Sequence, residues 1–171
     1  NVGRNTTIIR SNYLLDGNEP FYEFSLKLWE GLSQELNFNV MFSQRGLVVL
    51  AHNDGQVEAL ARRGTMSVMA GDDGVLWSRE ECRQRMPYLN FDDPRFPIYG
   101  ALMHQKGGTA RHDAVVWGYA RAADQLGVDI IQNCEVTGFR IQGGACLGLE
   151  TSRGYIAGGK IAACVAGSSG R

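Results

Sequence analysis

At 171 residues the chain has room for one domain, or one large piece of a bigger one, and a chain of that length buries roughly 70% of its unfolded surface. A hydrophobic fraction of 44% with 20% charged residues is ordinary for a soluble globular protein, and no apolar run approaches the ~20 residues that span a bilayer. Seventeen basic against eighteen acidic side chains leave a formal charge of -1, so small molecules or protein are the expected partners, with no nucleic acid and no membrane.

The first helix is predicted from about Pro20 to Leu36, where Phe21, Phe24, Leu28, Leu32 and Leu36 recur at three- and four-residue steps after the start signals Asp16, Asn18 and Pro20. Met41 to His52 reads as strand, tight bend at Gln44-Arg45-Gly46, then strand, with Leu47 to Leu50 buried on both faces. A second helix starts near Asp54, carries Val57, Leu60, Ala61, Gly64 and Val68, and ends at Gly71. Ser78-Arg79-Glu80-Glu81 is a capping box for a short helix that must stop before Pro87. Asn90 to Pro97 is a loop leading into a strand over Ile98 to Gln105.

Ala110 to Leu126 is predicted as a helix through Val115, Val116, Tyr119, Ala122, Ala123 and Leu126, stopped by Gly127. After it come strands over Val128 to Ile131, Glu135 to Gln142, Cys146 to Ser152, Tyr155 to Ala157 and Lys160 to Val165, with turns at Gly143-Gly144 and Arg153-Gly154. This is a β-meander following a helix.

Cys82, Cys134, Cys146 and Cys164 are scattered, with no C-x-x-C pair and no histidine at metal-ligand spacing, so they read as reduced, mostly buried thiols and no metal is expected. Asn1 to Ser11 has neither the apolar core of a secretory signal nor a starting methionine; it looks like a chain entered midway, and the expected location is cytoplasmic. No G-x-G-x-x-G, Walker A, G-x-S-x-G or H-E-x-x-H string occurs, which leaves hydrolase and metal readings without support.

Three strings carry chemistry. Gly107-Gly108-Thr109-Ala110-Arg111-His112-Asp113 sets a histidine where a glycine-bearing loop becomes a helix; such a start offers unpaired amides and positive dipole to a phosphate, unless His112 is simply a first-turn residue beside an ordinary loop. Gly3 to Tyr13 holds Arg4 and Arg10 among short polar residues, and arginine's fork grips a carboxylate or phosphate with two parallel bonds; the plain alternative is a polar surface loop. Lys160 to Gly170 reads as a buried strand running into a small-residue turn, a place where α/β sheets seat ligands or merely turn. His52 and His104, in or beside strands, read as structural.

Arg4-Asn5-Thr6-Thr7-Ile8-Ile9-Arg10-Ser11-Asn12-Tyr13-Leu14, Leu26-Lys27-Leu28-Trp29-Glu30-Gly31-Leu32, Phe42-Ser43-Gln44-Arg45-Gly46, Gly107 to Asp113 with Trp117-Gly118, and Leu126 to Gly138 resemble, in this order, the β subunits of heterotetrameric sarcosine oxidases within the D-amino-acid oxidase and glycine oxidase-like flavoproteins. The resemblance covers nearly the whole chain. It implies an α/β fold, more fully an α+β mixture: a partial FAD-binding domain joined to a substrate domain with a mixed, largely antiparallel sheet flanked by helices. Residues 1–36 would open the FAD domain with the substrate-arginine loop and a helix, 37–108 would belong to the substrate domain, and 109–171 would be helix and β-meander of the FAD domain.

The resemblance also implies an FAD-dependent amine oxidoreductase that demethylates sarcosine or a similar secondary amine, with a covalent FMN relaying electrons to oxygen and other sarcosine oxidase subunits as partners. By the matching motifs, Arg10 holds the substrate carboxylate. His112 carries the FMN, with Gly107, Gly108, Thr109 and Arg111 beside its phosphate. Val136, Ala166 and Gly167 lie against FAD. Thr7 stands where monomeric relatives have another arginine. On this resemblance the chain is an internal piece of a longer subunit, inactive by itself; the alternative is a stand-alone flavin-fold binding or interaction module without catalysis, or a structural remnant.

Overall fold

In a computed structural model of the chain, residues 2–3, 5–13 and 17–168 are described; Arg4, Leu14, Asp16 and Ser169-Gly170, which figure in the expectations above, lie outside them. In chain order the elements are β1 (Ile8–Ile9), α1 (Asn18–Glu35), β2 (Leu47–Ala51), α2 (Asp54–Met69), β3 (Gly74–Ser78), α3 (Arg79–Arg85), β4 (Gly100–His104), β5 (Gly108–Thr109), α4 (His112–Gln125), β6 (Val136–Gln142), β7 (Ala145–Thr151), β8 (Gly154–Ala157) and a short 3-10 helix, Ala166–Ser168. The expected α and β mixture with antiparallel sheets is present. It forms two compact units, one over Val2–Tyr119 and one opening at Ala120.

The larger unit is built on an antiparallel sheet ordered β2-β4-β3. Alternation of side chains gives it two apolar faces. Ala51 and Leu102, with Val49, face Leu60 and Val57 of α2. Trp77 and Ala101, with Val48, Leu50 and Met103, pack with Cys82 of α3 and with Met86, Phe91 and Ile98 of the segment that follows it. Because β2 is an edge strand, Leu47 to Leu50 are half-buried rather than sealed on both faces. Residues 41 to 46 form no hairpin arm; Ser43 makes a single bridge to Thr109, and β2 pairs with β4.

Helix starts follow their chemistry. Asn53 accepts from the Gln56 amide at 2.9 Å and caps α2, and Ser78 with Glu81 forms the predicted capping box of α3. Helix α1 departs from its predicted stripe. Leu32 and Leu36 are buried, but Phe21, Phe24 and Leu28 are more than half exposed, and Leu26 is buried at 1%. The packed side is instead the one carrying Tyr22, which stacks on Tyr13 at 3.9 Å, Trp29 against Phe42, and Ser33, whose hydroxyl accepts from the Val40 amide.

A second, two-stranded pairing joins Ile8 to Thr109 and Ile9 to Gly108. It presses Gly108 against the chain at Ser43, where an added Cβ would lie 2.4 Å from Ser43 O.

The smaller unit is the predicted meander, ordered β6-β7-β8, and Gly143-Gly144 takes positive φ at both positions, as a two-residue hairpin turn requires. Two predicted strands are absent. Residues 128–131 and 160–165 have no ladder partner among the described residues, and without one an apolar run has no sheet to join; the second stretch, expected to be buried, is mostly exposed. The cysteines are free, but only Cys82 is buried, Cys134 and Cys146 being intermediate and Cys164 exposed. No helix among the described residues is long and apolar enough to cross a membrane.

Two glycines separate packing from propensity. Gly108→Ala should destabilise the chain by about 1 to 3 kcal/mol because backbone at Ser43 cannot give way. Gly31→Ala, inside α1 with no atom within 4 Å of the added Cβ, should stabilise it by about 0.5 to 1 kcal/mol. Urea unfolding of both variants checks the pair, and shifts of the same sign would contradict the described packing.

Candidate functional site

The N-terminal string lies on the larger unit as a wall. Thr7 sits at φ +60, an uncommon conformation for a β-branched residue, held by the Asn5 side chain on its amide (2.8 Å) and by the Ala110 amide on its carbonyl (3.1 Å). Residues 5 to 9 thereby line a cleft of about 310 Å³ with Trp29, Ala110, His112 and Val115. That is the lower end of the range for small-molecule pockets. His112, the first residue of α4, is half-buried with its Nδ1 out of water and without a hydrogen-bond partner. Its ring faces a cleft, not packed hydrocarbon.

The loop before it is different from the open cradle expected. The amides of Gly107, Thr109, Ala110 and Arg111 already donate to the carbonyls of His104, Ser43, Thr7 and Val40 at 3.0 to 3.3 Å. Gly107 and Gly108 are buried, and the space where their Cβ atoms would sit is taken by His104, Leu47, Ser43 and Gln44. The glycines admit the protein's own chain. Arg111 is gripped by Asp113 through two bonds of 2.9 and 2.8 Å, and Asp113 also accepts from the Ala114 amide. The anion at the start of α4 is therefore the protein's own carboxylate, which the Arg111 guanidinium beside it holds below the usual carboxylate range. Thr109 is exposed at the loop's edge.

Arg10 stands where the string leaves β1. Its guanidinium lies 4.5 Å from the Tyr13 ring centre and donates to Asn12 Oδ1 at 3.1 Å. Arg63, on the rim of the buried face of α2, donates to Asn12 O at 2.9 Å. Two guanidiniums thus share one buried residue. Burial lowers the Arg63 pKa, and the charge of Arg10 lowers it further.

Beneath them, His104 at the end of β4 is 1% exposed. Its Nε2 is 3.4 Å from both the amide and the hydroxyl of Ser11, so it can accept from the first when neutral and donate to the second when protonated. Its Nδ1 is 2.5 Å from Asp73 Oδ1 and 3.3 Å from Asp72 Oδ1. Ser11 Oγ donates to Asp72, and the Lys106 amide to Asp73, while Lys106 Nζ reaches Glu23 of α1. Burial works against the imidazolium, but the carboxylates outweigh it and the His104 pKa is raised; burial likewise opposes the Asp72 carboxylate, but the bonds from His104, Asp73 and Ser11 with the His104 charge hold its pKa down.

Asp72, Asp73 and His104 are also the residue types that bind metals. Nδ1 and Asp73 Oδ1 face one another at 2.5 Å, the spacing of a charge-assisted hydrogen bond. The group is an ion pair anchoring Ser11. Its members other than Ser11, and Arg63, were not singled out as functional from sequence. The signal available was Arg62-Arg63 beside Gly64, a charge abutting the sheet-facing side of a helix. His52 bonds the Pro97 carbonyl at 3.0 Å and is structural. In the smaller unit, Val136 opens β6 and is exposed, as are Ala166, at φ +49, and Gly167 in the 3-10 turn.

Residues 1–168 match the family model of the FAD dependent oxidoreductases, DAO type, and the chain belongs to that family. It is 60% identical over 169 residues to the sarcosine oxidase subunit beta of Rhizobium meliloti (strain 1021), covering 99% of this chain and 41% of that protein. It therefore spans about two fifths of the length of that relative. Among solved structures, L-proline dehydrogenase from P. horikoshii superposes with a TM-score of 0.79 at 26% identity, over 91% of this chain and 40% of the other. Glycine oxidase from Bacillus cereus ATCC 14579 shares the fold, with a TM-score of 0.81 at 19% identity over 91% of this chain and 42% of the other.

The His104 pair sets a pH window for stability. A raised histidine pKa stabilises fully below its ordinary 6.5 and loses that contribution as pH rises through the raised value; the lowered Asp72 pKa stabilises above its ordinary 3.8 and loses it as pH falls through the lowered value. Thermal unfolding should show a plateau between those ordinary values and a decline on either side. His104→Gln should cost about 3 to 5 kcal/mol, since it strands buried carboxylates, and should abolish the alkaline decline. An alkaline limb unchanged in the variant would remove His104 as its source.

Proposed function

We propose that the chain supplies the carboxylate grip and one flavin contact of an enzyme that oxidatively demethylates sarcosine or a similar secondary amine. The observation that carries this reading is Arg10: a half-buried guanidinium, steadied by Tyr13 and Asn12, with no carboxylate of the protein in ion-pair range among the described residues. Its free fork suits the carboxylate of an amino-acid substrate. The similarity to a sarcosine oxidase subunit beta supports the choice of amine.

The flavin contacts are proposed as well. His112, with its unbonded buried Nδ1 beside a cleft that Thr6, Thr7 and Trp29 help to wall, suits attachment of FMN. With four of the five amides of the 107–111 loop spent, Thr109 and Arg111 would meet its phosphate through side chains, and Arg111 would have to leave Asp113 to do so; Gly107 and Gly108 would contribute by bringing that loop close. Val136, Ala166 and Gly167 are proposed to lie against FAD. When bound, FAD would take the hydride equivalent from the N-methyl carbon and FMN would pass electrons to oxygen. The chain's own residues bind and orient: Arg10 fixes the carboxylate and so the reach of the N-methyl group, and the β1–β5 pairing holds the wall of the cleft. Other subunits of such an oxidase are the proposed partners, in the cytoplasm.

The 171 residues contain no G-x-G-x-x-G, so by themselves they should bind FAD weakly and turn nothing over. A stand-alone phosphate-capturing module finds less support, because four of the five loop amides it would need are already bonded.

In the flavin-loaded holoenzyme, Arg10→Ala should weaken sarcosine binding by about 2 to 4 kcal/mol, read as a rise in KM; an unchanged KM would remove Arg10 from the role. His112→Ala should leave FAD in place and abolish covalent flavin, read as loss of the FMN mass from the peptide bearing residue 112. Covalent FMN surviving that change would overturn the tether.

A further inference from the structure

Three half-buried arginines occur among the described residues: Arg10, Arg63 and Arg79. Arg79 is paired with Asp92. Its counterparts Arg10 and Arg63 have no carboxylate in ion-pair range among those residues, although the neighbouring, exposed Arg62 has Glu58 at 3.8 Å. Both turn towards Asn12, which is 2% exposed, Arg10 bonding its side-chain oxygen and Arg63 its carbonyl. The Arg63 Nε is itself buried and makes no hydrogen bond. Like charges brought together on neutral acceptors, with a buried donor left over, describe an incomplete anion site.

The geometry points to Arg63 as a second binding residue for the substrate carboxylate, acting with Arg10, to which it is linked through Asn12. This rests on the reading of Arg10 given above and adds to it a residue on another element. The ligand class is a carboxylate with an amine close by, not an amine alone. Arg63 binds and orients; no proton or electron passes through it.

The test uses the flavin-loaded holoenzyme, with acetate as the probe for the carboxylate, dimethylamine as the carboxylate-free control, and sarcosine for turnover. Arg63→Gln should raise the acetate dissociation constant and the sarcosine KM by about 10- to 100-fold, the loss of charged hydrogen bonds, while kcat changes far less and dimethylamine binding is unaltered. Arg63→Lys should recover part of the loss, because it restores the charge and not the fork. Combined with Arg10→Gln, the two losses should fail to add, as expected for groups holding one ligand. Acetate binding unchanged in folded Arg63→Gln, with Arg10→Gln still impaired, would overturn the role of Arg63 alone. Unchanged binding in Arg10→Gln would overturn both readings. Equal weakening of acetate and dimethylamine would show a merely structural role and also overturn it. Should Arg63→Gln fail to fold, Arg63→Lys decides: wild-type acetate affinity in that variant would sink the assignment, and a selective loss for acetate would support it.

Discussion

A buried imidazole between two carboxylates fixes where the N-terminal string lies. His104 is at the end of the central strand β4, and through Nε2 it meets Ser11, whose hydroxyl also reaches Asp72. A charge placed so deep is stable only while its partners stay deprotonated and close, so the contact holds the string at one register. The β1–β5 ladder provides the second attachment, at Gly108. Between the two, Arg10 has little freedom, and His112 inherits its outlook because the residues walling its cleft are those of the same string. Site geometry therefore descends from the sheet and not from the loop's own preferences.

Local chemistry made much of the fold legible. The capping box at Ser78, the glycine stops at Gly71 and Gly127 and the Gly143-Gly144 hairpin act over four residues or fewer, and each stands where the sequence places it. What failed required partners. Val128 to Ile131 and Lys160 to Val165 have strand composition, but a strand exists only against a neighbour. Conversely, β1 is a lone isoleucine pair in a polar string and β5 is Gly-Thr; neither is long enough to read as a strand, and they become strands because they meet. Gly74–Ser78 was hidden by its opening glycine and by a closing serine that belongs equally to the next helix. In α1 two apolar faces compete, and the two phenylalanines fall on the exposed one while Tyr22 and Trp29 take the packed one.

The residues of the candidate site differ in legibility for a similar reason. His112 and Arg10 lie in strings distinctive enough to be recognised, whereas Arg63 stands in an Arg-Arg pair on an amphipathic helix, which reads as a solvated edge. Only the fold brings it to Asn12, fifty-one positions away. The loop 107–111 shows the opposite effect. Its glycines and helix start suggest phosphate binding, yet the fold spends the same amides on Ser43, Thr7, Val40 and His104. A glycine in a sequence states that something approaches closely, without saying whether it is a ligand or the chain itself.

Placing Arg10 and Arg63 on one residue is unfavourable for the protein by itself, because like charges in a partly dry setting repel and one buried donor is unmet. The surrounding structure offsets this with features that do not depend on any ligand: the Tyr13 ring stacked on Tyr22, the Asn12 acceptors and the His104 ion pair. A bound carboxylate would convert the repulsion into two attractions without rearranging the frame, since the guanidiniums are already oriented. Preorganisation of that kind favours affinity because little is left to order on binding. The strain at Thr7 fits the same division, with an unfavourable conformation held by bonds to Asn5 and Ala110 so that the cleft keeps its wall.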